Sequence, residues 1–184
     1  MNKLKHKSSD NQLGIVSDII SRLQPEIYLE LGIKKGNTIS NIAPYAKRAI
    51  GVDIKKPSGN IKGYEFYEMT TDKFFEKIKA EKIKLSYIDA AFIDANHNSK
   101  YVLRDFYNVW ALLRNQGVII LHDTYPKNKK FTSKELCGDA YLAAWEISLK
   151  NIPMIEYFTL PIHPGLTFIR KREYQISWEE QRVI

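Results

Sequence analysis

The apolar positions of the chain change period several times, and each change marks an element. Leu13, Val16, Ile19, Ile20 and Leu23 recur at helical spacing after a candidate cap at Asn11, with Pro25 beyond the end. Residues 28–31 form a short apolar run interrupted only by Glu30, the pattern of a buried parallel strand. A turn bracketed by Gly32 and Gly36 follows, with Asn37 or Thr38 able to cap a helix. Ile50 to Val52 is the next run and ends in Asp53. Residues 55–63, with Pro57, Gly59 and Gly63, read as a loop, and residues 64–69 alternate as a third strand. Thr70, Thr71 and Asp72 open a helix reaching about Ala80, with Phe74, Phe75 and Ile78 inward.

The second half repeats this alternation. Residues 90–94 are a buried strand closing on Asp94, and Asn96-His97-Asn98-Ser99 opens a long helix with Val102, Phe106, Val109, Trp110 and Leu113 on one face. Residues 117–121 are a continuous apolar strand running into His122, Asp123 and Thr124. Residues 125–135 are lysine-rich without periodicity, which predicts a mobile loop. Asp139 is placed to cap a helix with Ala140, Ala144 and Ile147 inward. Residues 154–160 and 166–170 suit an antiparallel pair joined by Pro161 to Gly165, with His163 as a hydrogen-bonding turn residue. The tail from Glu173, polar except for Tyr174, Ile176 and Trp178, reads as a strap or a frayed end. The whole predicts an α/β fold: a doubly wound, Rossmann-like, seven-stranded and mostly parallel sheet with a C-terminal antiparallel hairpin.

Composition adds little to that picture. At 184 residues, 44% hydrophobic and 27% charged, the chain suits one soluble domain over residues 11–184 after a flexible basic N-terminus over residues 1–10. A single Cys137 leaves no internal disulfide framework, and no Cys/His cluster has zinc spacing. No secretory leader or membrane-length apolar run is visible, so a cytoplasmic location is expected. The net charge of +7 invites a nucleic-acid reading. The lysines are scattered, however, without the aromatic interleaving of a stacking platform, so nucleic acid is not the expected partner.

Candidate chemistry gathers where strands end, because ligands of such sheets sit beyond the carboxyl ends of the strands. Glu30, Asp53, Asp94, His122 and Asp123 all fall there. Asp53, roughly 20 residues past the glycine turn, is placed to bind ribose hydroxyls, each charge-assisted hydrogen bond contributing roughly 1.5–3 kcal/mol. The turn fails as a dinucleotide fingerprint, because Lys34 and Asn37 stand where glycines are needed, and as a phosphate loop, because Asn37 follows Gly36. An acid two residues before a G-x-x-x-G turn puts negative charge beside a cationic ligand.

This stretch resembles the first motif of class I S-adenosylmethionine-dependent methyltransferases. Three further stretches resemble the group labelled methyltransferase domain 24, related to macrocin-type O-methyltransferases and cephalosporin-hydroxylase-like proteins. They are residues 69–75, residues 92–97 with 101–105, and residues 115–126. Residues 137–141 resemble the segment following the His-Asp pair in that group. Ala95, where the family usually has Gly, and Asn115-Gln116 ahead of Gly117, where Pro-Gly-Gly is common, depart from the pattern at turns. The resemblance implies that Glu30, Gly32, Gly36, Asn37, Asp53 and Ile54 hold the methionine and ribose parts of S-adenosyl-L-methionine, with Thr71 and Asp72 beside the adenine.

It also implies that His122 and Asp123 act in catalysis, with His97 as a further candidate. Asp94 and Asp123 would hold a divalent cation such as Mg or Mn together with His122 or His97; alternatively, Asp94 binds the amino group of the cofactor and one histidine is the general base. The expected activity is O-methylation of a small molecule or a sugar hydroxyl in a glycan. The rivals are an RNA 2′-hydroxyl methyltransferase and a non-catalytic interaction module. Residues 125–135 would close over the acceptor, and a homodimer is left open.

Overall fold

Strand β1 (Ile27–Leu31) is buried at every position, as a strand covered on both faces must be. The computed structural model describes residues 8–57, 62–150 and 152–173. The remaining elements are α1 (Ser8–Leu23), α2 (Asn37–Ile42), β2 (Arg48–Asp53), β3 (Glu65–Glu68), α3 (Thr71–Lys79), β4 (Ile88–Ile93), α4 (Ser99–Leu112), β5 (Leu113–His122), α5 (Ala140–Leu149), β6 (Ile155–Leu160) and β7 (Leu166–Lys171). The strands form one sheet in the order β3-β2-β1-β4-β5-β7-β6. β1 to β5 pair in parallel, and β7 lies antiparallel between β5 and β6. The α/β architecture and the C-terminal hairpin are therefore as the alternation predicts.

Because side chains alternate across a strand, the sheet sorts its residues into two layers. Leu29, Leu31, Ile93, Ile119 and Leu121 face Phe74, Val102, Phe106 and Ile147 of the later helices. Tyr28, Phe92 and Ile120 face Val16, Ile20, Ile39 and Ile42 of α1 and α2. Chain order reverses between β1 and β4, which pair from Tyr28↔Ala90 to Leu31↔Ile93. That reversal opens a crevice above their carboxyl ends, where the two βα crossovers depart to opposite faces.

Several boundaries differ from the reading by pattern. α1 already runs from Ser8, so Asn11 lies within it instead of capping it. Met1 to Lys7 of the expected flexible terminus, and the tail from Tyr174, lie outside the described residues. Leu23 is exposed at the frayed end of α1. The N-cap of α2 is Gly36, held at φ 77, so Asn37 and Thr38 fall inside the first turn. A left-handed cap favours the residue without a Cβ over a side-chain acceptor. Leu113 opens β5 instead of closing α4, so β5 begins four residues before Gly117. Residues 125–135 contain a short 3-10 turn over Lys129–Thr132.

Asp139 stands at the N-cap of α5, but its side chain makes no cap bond to that helix. Its Oδ1 instead accepts from the Ser99 amide at 2.6 Å, in the first turn of α4. The Asp139 amide donates to the His97 carbonyl at 3.0 Å, so the two loops lock together beside the strand ends. Replacing Asp139 by alanine is expected to cost about 1 kcal/mol, the ordinary contribution of a helix cap, in urea unfolding. Faster hydrogen exchange at Ser99 should accompany the loss; unchanged exchange there would show that the cap contributes nothing.

Candidate active site

The crevice above β1 and β4 holds a cleft of about 270 Å³ lined by Glu30, Gly32, Asn37, Phe92, Asp94 and His122, among others. Gly32 sets its floor. At φ +85, a Cβ there would fall on the Asp94 carbonyl oxygen and the Ala95 Cα, so any side chain would push β1 and β4 apart at their ends. Glu30 is buried on the α1/α2 face of the sheet and accepts from the Tyr28 hydroxyl at 2.7 Å. Burial pushes its carboxyl up to about 8; the Tyr28 hydrogen bond opposes the rise and the Asp94 charge adds to it.

Asp53 ends β2 as expected, and its carboxylate accepts three backbone amides. Oδ2 takes Ile33 at 2.9 Å and Lys34 at 2.8 Å, while Oδ1 takes Lys55 at 3.2 Å. The residue therefore shapes the glycine turn, and Oδ1 is the less committed oxygen. Ile54 follows it as an exposed apolar side chain. Thr71 and Asp72 are drawn away towards α4. Asp72 pairs with Arg104 at 2.6 Å, and Thr71 stands beside the buried Asp105. Neither lines the cleft.

The ends of β4 and β5 bring four titratable groups together. His122 Nδ1 lies 3.1 Å from Asp94 Oδ1 and 3.4 Å from Asp123 Oδ2. His97 Nε2 lies 3.2 Å from Asp123 Oδ2 and 3.7 Å from Asp94 Oδ1. Asp123 is buried and sits at φ 61, a conformation that non-glycine residues adopt only when their surroundings enforce it. Burial works against charge on His122, but Asp94 and Asp123 outweigh it and hold the imidazole up at about 10. Burial likewise works against the Asp94 carboxylate, and His122 and His97 hold it down near 2. His97 is raised by the nearby Asp94 carboxylate and the charge of Asp123, against burial.

Asp94, His97 and Asp123 present one ligand atom each within 4.8 Å of one another. Two carboxylate oxygens and an imidazole nitrogen fit a borderline divalent cation. The sequence left the third ligand between His122 and His97, and the geometry points to His97. His122 lies edge-on to Phe92 at 5.8 Å between ring centroids and neutralises both carboxylates from behind.

A family model described as a methyltransferase domain matches residues 29–124. The chain belongs to this family. It is a class I, S-adenosylmethionine-dependent methyltransferase, as the motifs suggest. No curated protein sequence matches the methyltransferase. Among solved structures it is similar to an O-methyltransferase from Bacillus cereus in complex with SAH, at TM-score 0.72 and 16% identity, covering 91% of this chain and 84% of that one. It is also similar to the O-methyltransferase TomG of Streptomyces achromogenes, involved in tomaymycin synthesis and in complex with SAM, at TM-score 0.69 and 12% identity, covering 88% and 80%. An rRNA methylase from Streptococcus thermophilus shares the fold at TM-score 0.64 and 12% identity, covering 93% and 100%.

Leu13 of α1 walls the methyltransferase cleft, and sequence reasoning missed Pro164 of the β6–β7 turn together with Lys34 and Lys35, which also line it. Gln12, fully buried, bonds through Nε2 to the Ile162 carbonyl and so ties α1 to that turn. Its signal was visible: Gln12, Val16 and Ile20 repeat every four residues on one helical face.

Glu30 makes stability depend on pH. Its folded pKa is raised, so the unfolded chain releases the proton near pH 4.5 while the fold keeps it to about 8. The contribution is full below pH 4.5 and is lost as pH rises through 8, a fall on the order of a few kcal/mol. Glu30→Gln should flatten that part of the stability–pH profile in urea titrations between pH 5 and 9. An unchanged slope would show Glu30 to be ionised throughout.

Proposed function

We propose that this methyltransferase transfers the methyl group of S-adenosyl-L-methionine to a hydroxyl oxygen of a small molecule or sugar, assisted by a divalent cation, in the cytoplasm. The observation that carries this reading is the convergence of Asp94, His97 and Asp123 beside a cleft floored by Gly32 and walled by Glu30. The donor already activates its methyl group, so the protein mainly positions the two reactants and helps the acceptor oxygen lose its proton. A cation on Asp94, His97 and Asp123 would supply that help by lowering the pKa of the hydroxyl. The likeness to O-methyltransferases crystallised with SAH and SAM supports the choice of donor and of oxygen as acceptor atom.

Each residue has its own task in this reading. Glu30 and Asp94 offer negative charge to the cationic end of the donor, and a closely apposed cation favours the ionised form of Glu30. Asp53 fixes the glycine turn and turns Oδ1 towards the ribose, with Ile54 giving an apolar surface to the adenine. Thr71 and Asp72 drop out of the adenine site and stabilise the α3–α4 contact instead. Asn37 projects from the first turn of α2 at the methionine end.

A second reading makes His97 the general base, oriented by Asp123 at 3.2 Å. Removal of divalent cations separates the two. If the cation assists, chelation should abolish turnover and Mg or Mn should restore it. Full turnover after chelation would assign the proton to His97.

Asp53→Ala should weaken SAH binding at least roughly a hundredfold by calorimetry, as the loss of charge-assisted hydrogen bonds would; retained affinity would rule out the ribose role. Asp123→Ala should keep SAH affinity within about threefold while reducing turnover at least roughly a hundredfold, the scale of a lost acid–base or metal contribution. Parallel loss of both would make Asp123 a residue of the cofactor site.

A further inference from the structure

A second cavity, of about 510 Å³, opens between the β4–α4 turn and residues 132–139. His97 lines it, Asp94 and His122 line the cofactor cleft, and His97 Nε2 lies 3.7 Å from Asp94 Oδ1, so the two spaces approach each other at this cluster. Methyl transfer needs the acceptor oxygen in contact with the methyl group, so a molecule held in the second cavity would extend its hydroxyl past the cluster to the donor. We infer that this cavity is the acceptor subsite and that it takes a small hydroxylated molecule carrying an anionic oxygen group, a sugar phosphate or a sugar acid. The inference rests on the O-methyltransferase reading and names its substrate class.

The lining decides the chemistry. Beside His97 it offers Asn96, Asn98, Thr132, Lys134 and Asp139, with no carbocyclic or indole ring and no aliphatic side chain larger than that of Ala95. A flat apolar acceptor such as a catechol would meet only the methyl and methylene groups of residues such as Ala95, Thr132 and Lys134, with no carbocyclic ring to stack on. The hydrogen-bonding capacity is biased towards donors. Asn96 Oδ1 accepts from the Asn98 amide at 2.9 Å, and Asn98 Oδ1 accepts from the Lys100 amide at 3.2 Å. Each amide is thereby oriented with its NH₂ group left over. One Asp139 oxygen is taken by Ser99, and the Thr132 hydroxyl donates to the Lys129 carbonyl at 2.8 Å. The free groups that remain are the two NH₂ groups and the Lys134 ammonium, which seek oxygen, and the second Asp139 oxygen, which suits a hydroxyl.

Charge points the same way. Lys134 lines the cavity, and Lys127, Lys129 and Lys130 precede it on the same segment, with no acid before Glu135. Among the described residues none of the four lies within ion-pair distance of a carboxylate. Lys134 beside the NH₂ donors favours phosphate or carboxylate on the incoming molecule. A polynucleotide shares that chemistry, but the lining offers no aromatic face on which bases stack, beyond the His97 imidazole already held by two carboxylates.

Two measurements on the full chain test this. Calorimetry with SAH reports on the methyltransferase reading alone. Glucose 1-phosphate, glucuronic acid, methyl glucoside, catechol and a short single-stranded RNA are then titrated into the SAH-bound protein, observed through the side-chain amide resonances of Asn96 and Asn98. Glucose 1-phosphate, glucuronic acid or both should shift those resonances and bind roughly tenfold or more tightly than methyl glucoside, the scale of one charge-assisted hydrogen bond. Lys134→Gln should remove that preference, with SAH affinity measured on the variant to confirm its fold. The stronger of the two anions identifies phosphate or carboxylate. The proposal is overturned if SAH binds but the neutral glycoside matches the anionic sugars, if only catechol or only RNA shifts the resonances, or if nothing does. Failure of SAH to bind removes the methyltransferase reading itself, and the acceptor assignment with it.

Discussion

Two carboxylates, Asp94 and Asp123, are set beside each other at the ends of adjacent strands, where burial makes unpaired charge expensive. The arrangement persists because imidazoles stand between them, His122 at 3.1 and 3.4 Å and His97 at 3.7 and 3.2 Å. The left-handed backbone of Asp123 is the strain accepted to aim its carboxylate inward. With the His122 imidazole held up at about 10, the two carboxylates keep a cationic partner.

The rest of the molecule serves to hold that rim. Parallel pairing of β1 with β2 and β4, and of β4 with β5, fixes where the strand ends stand relative to one another. Gly32 lets β1 and β4 close up at the switch point, and Asp53 ties the following turn down through three amides. Asp139, reaching across to Ser99, draws the loop before α5 against the turn that carries His97. Side-chain packing in two layers makes the frame stiff, and helices on both faces leave the carboxyl ends of the strands open. Two cavities therefore open beside one cluster of titratable groups.

Most of the sheet could be read from the chain because its central strands are short apolar runs with charged ends. Residues 28–31, 90–94 and 117–121 announced both their burial and the rim they point to. Boundaries were legible only where a side chain enforces them. Thr70 caps α3 as the sequence indicates, whereas the switch from α4 to β5 at Leu113 has no local signal, since an apolar residue suits either element. Thr71 and Asp72 are ambiguous for a related reason: a polar pair at a strand end looks the same whether it meets a ligand or a neighbouring arginine. In the fold the Asp72 carboxylate meets Arg104, 32 positions later on the chain.

The sequence by itself determined the order of elements, the α/β class and the residues that would crowd the rim, because period, turn glycines and charge are local properties. Tertiary structure decided which of those residues meet. Polar atoms of Asp94, His97 and Asp123 converge within 4.8 Å, and Asp139 bonds to a helix other than its own. Distances across a sheet depend on pairing and register, and no local pattern carries them.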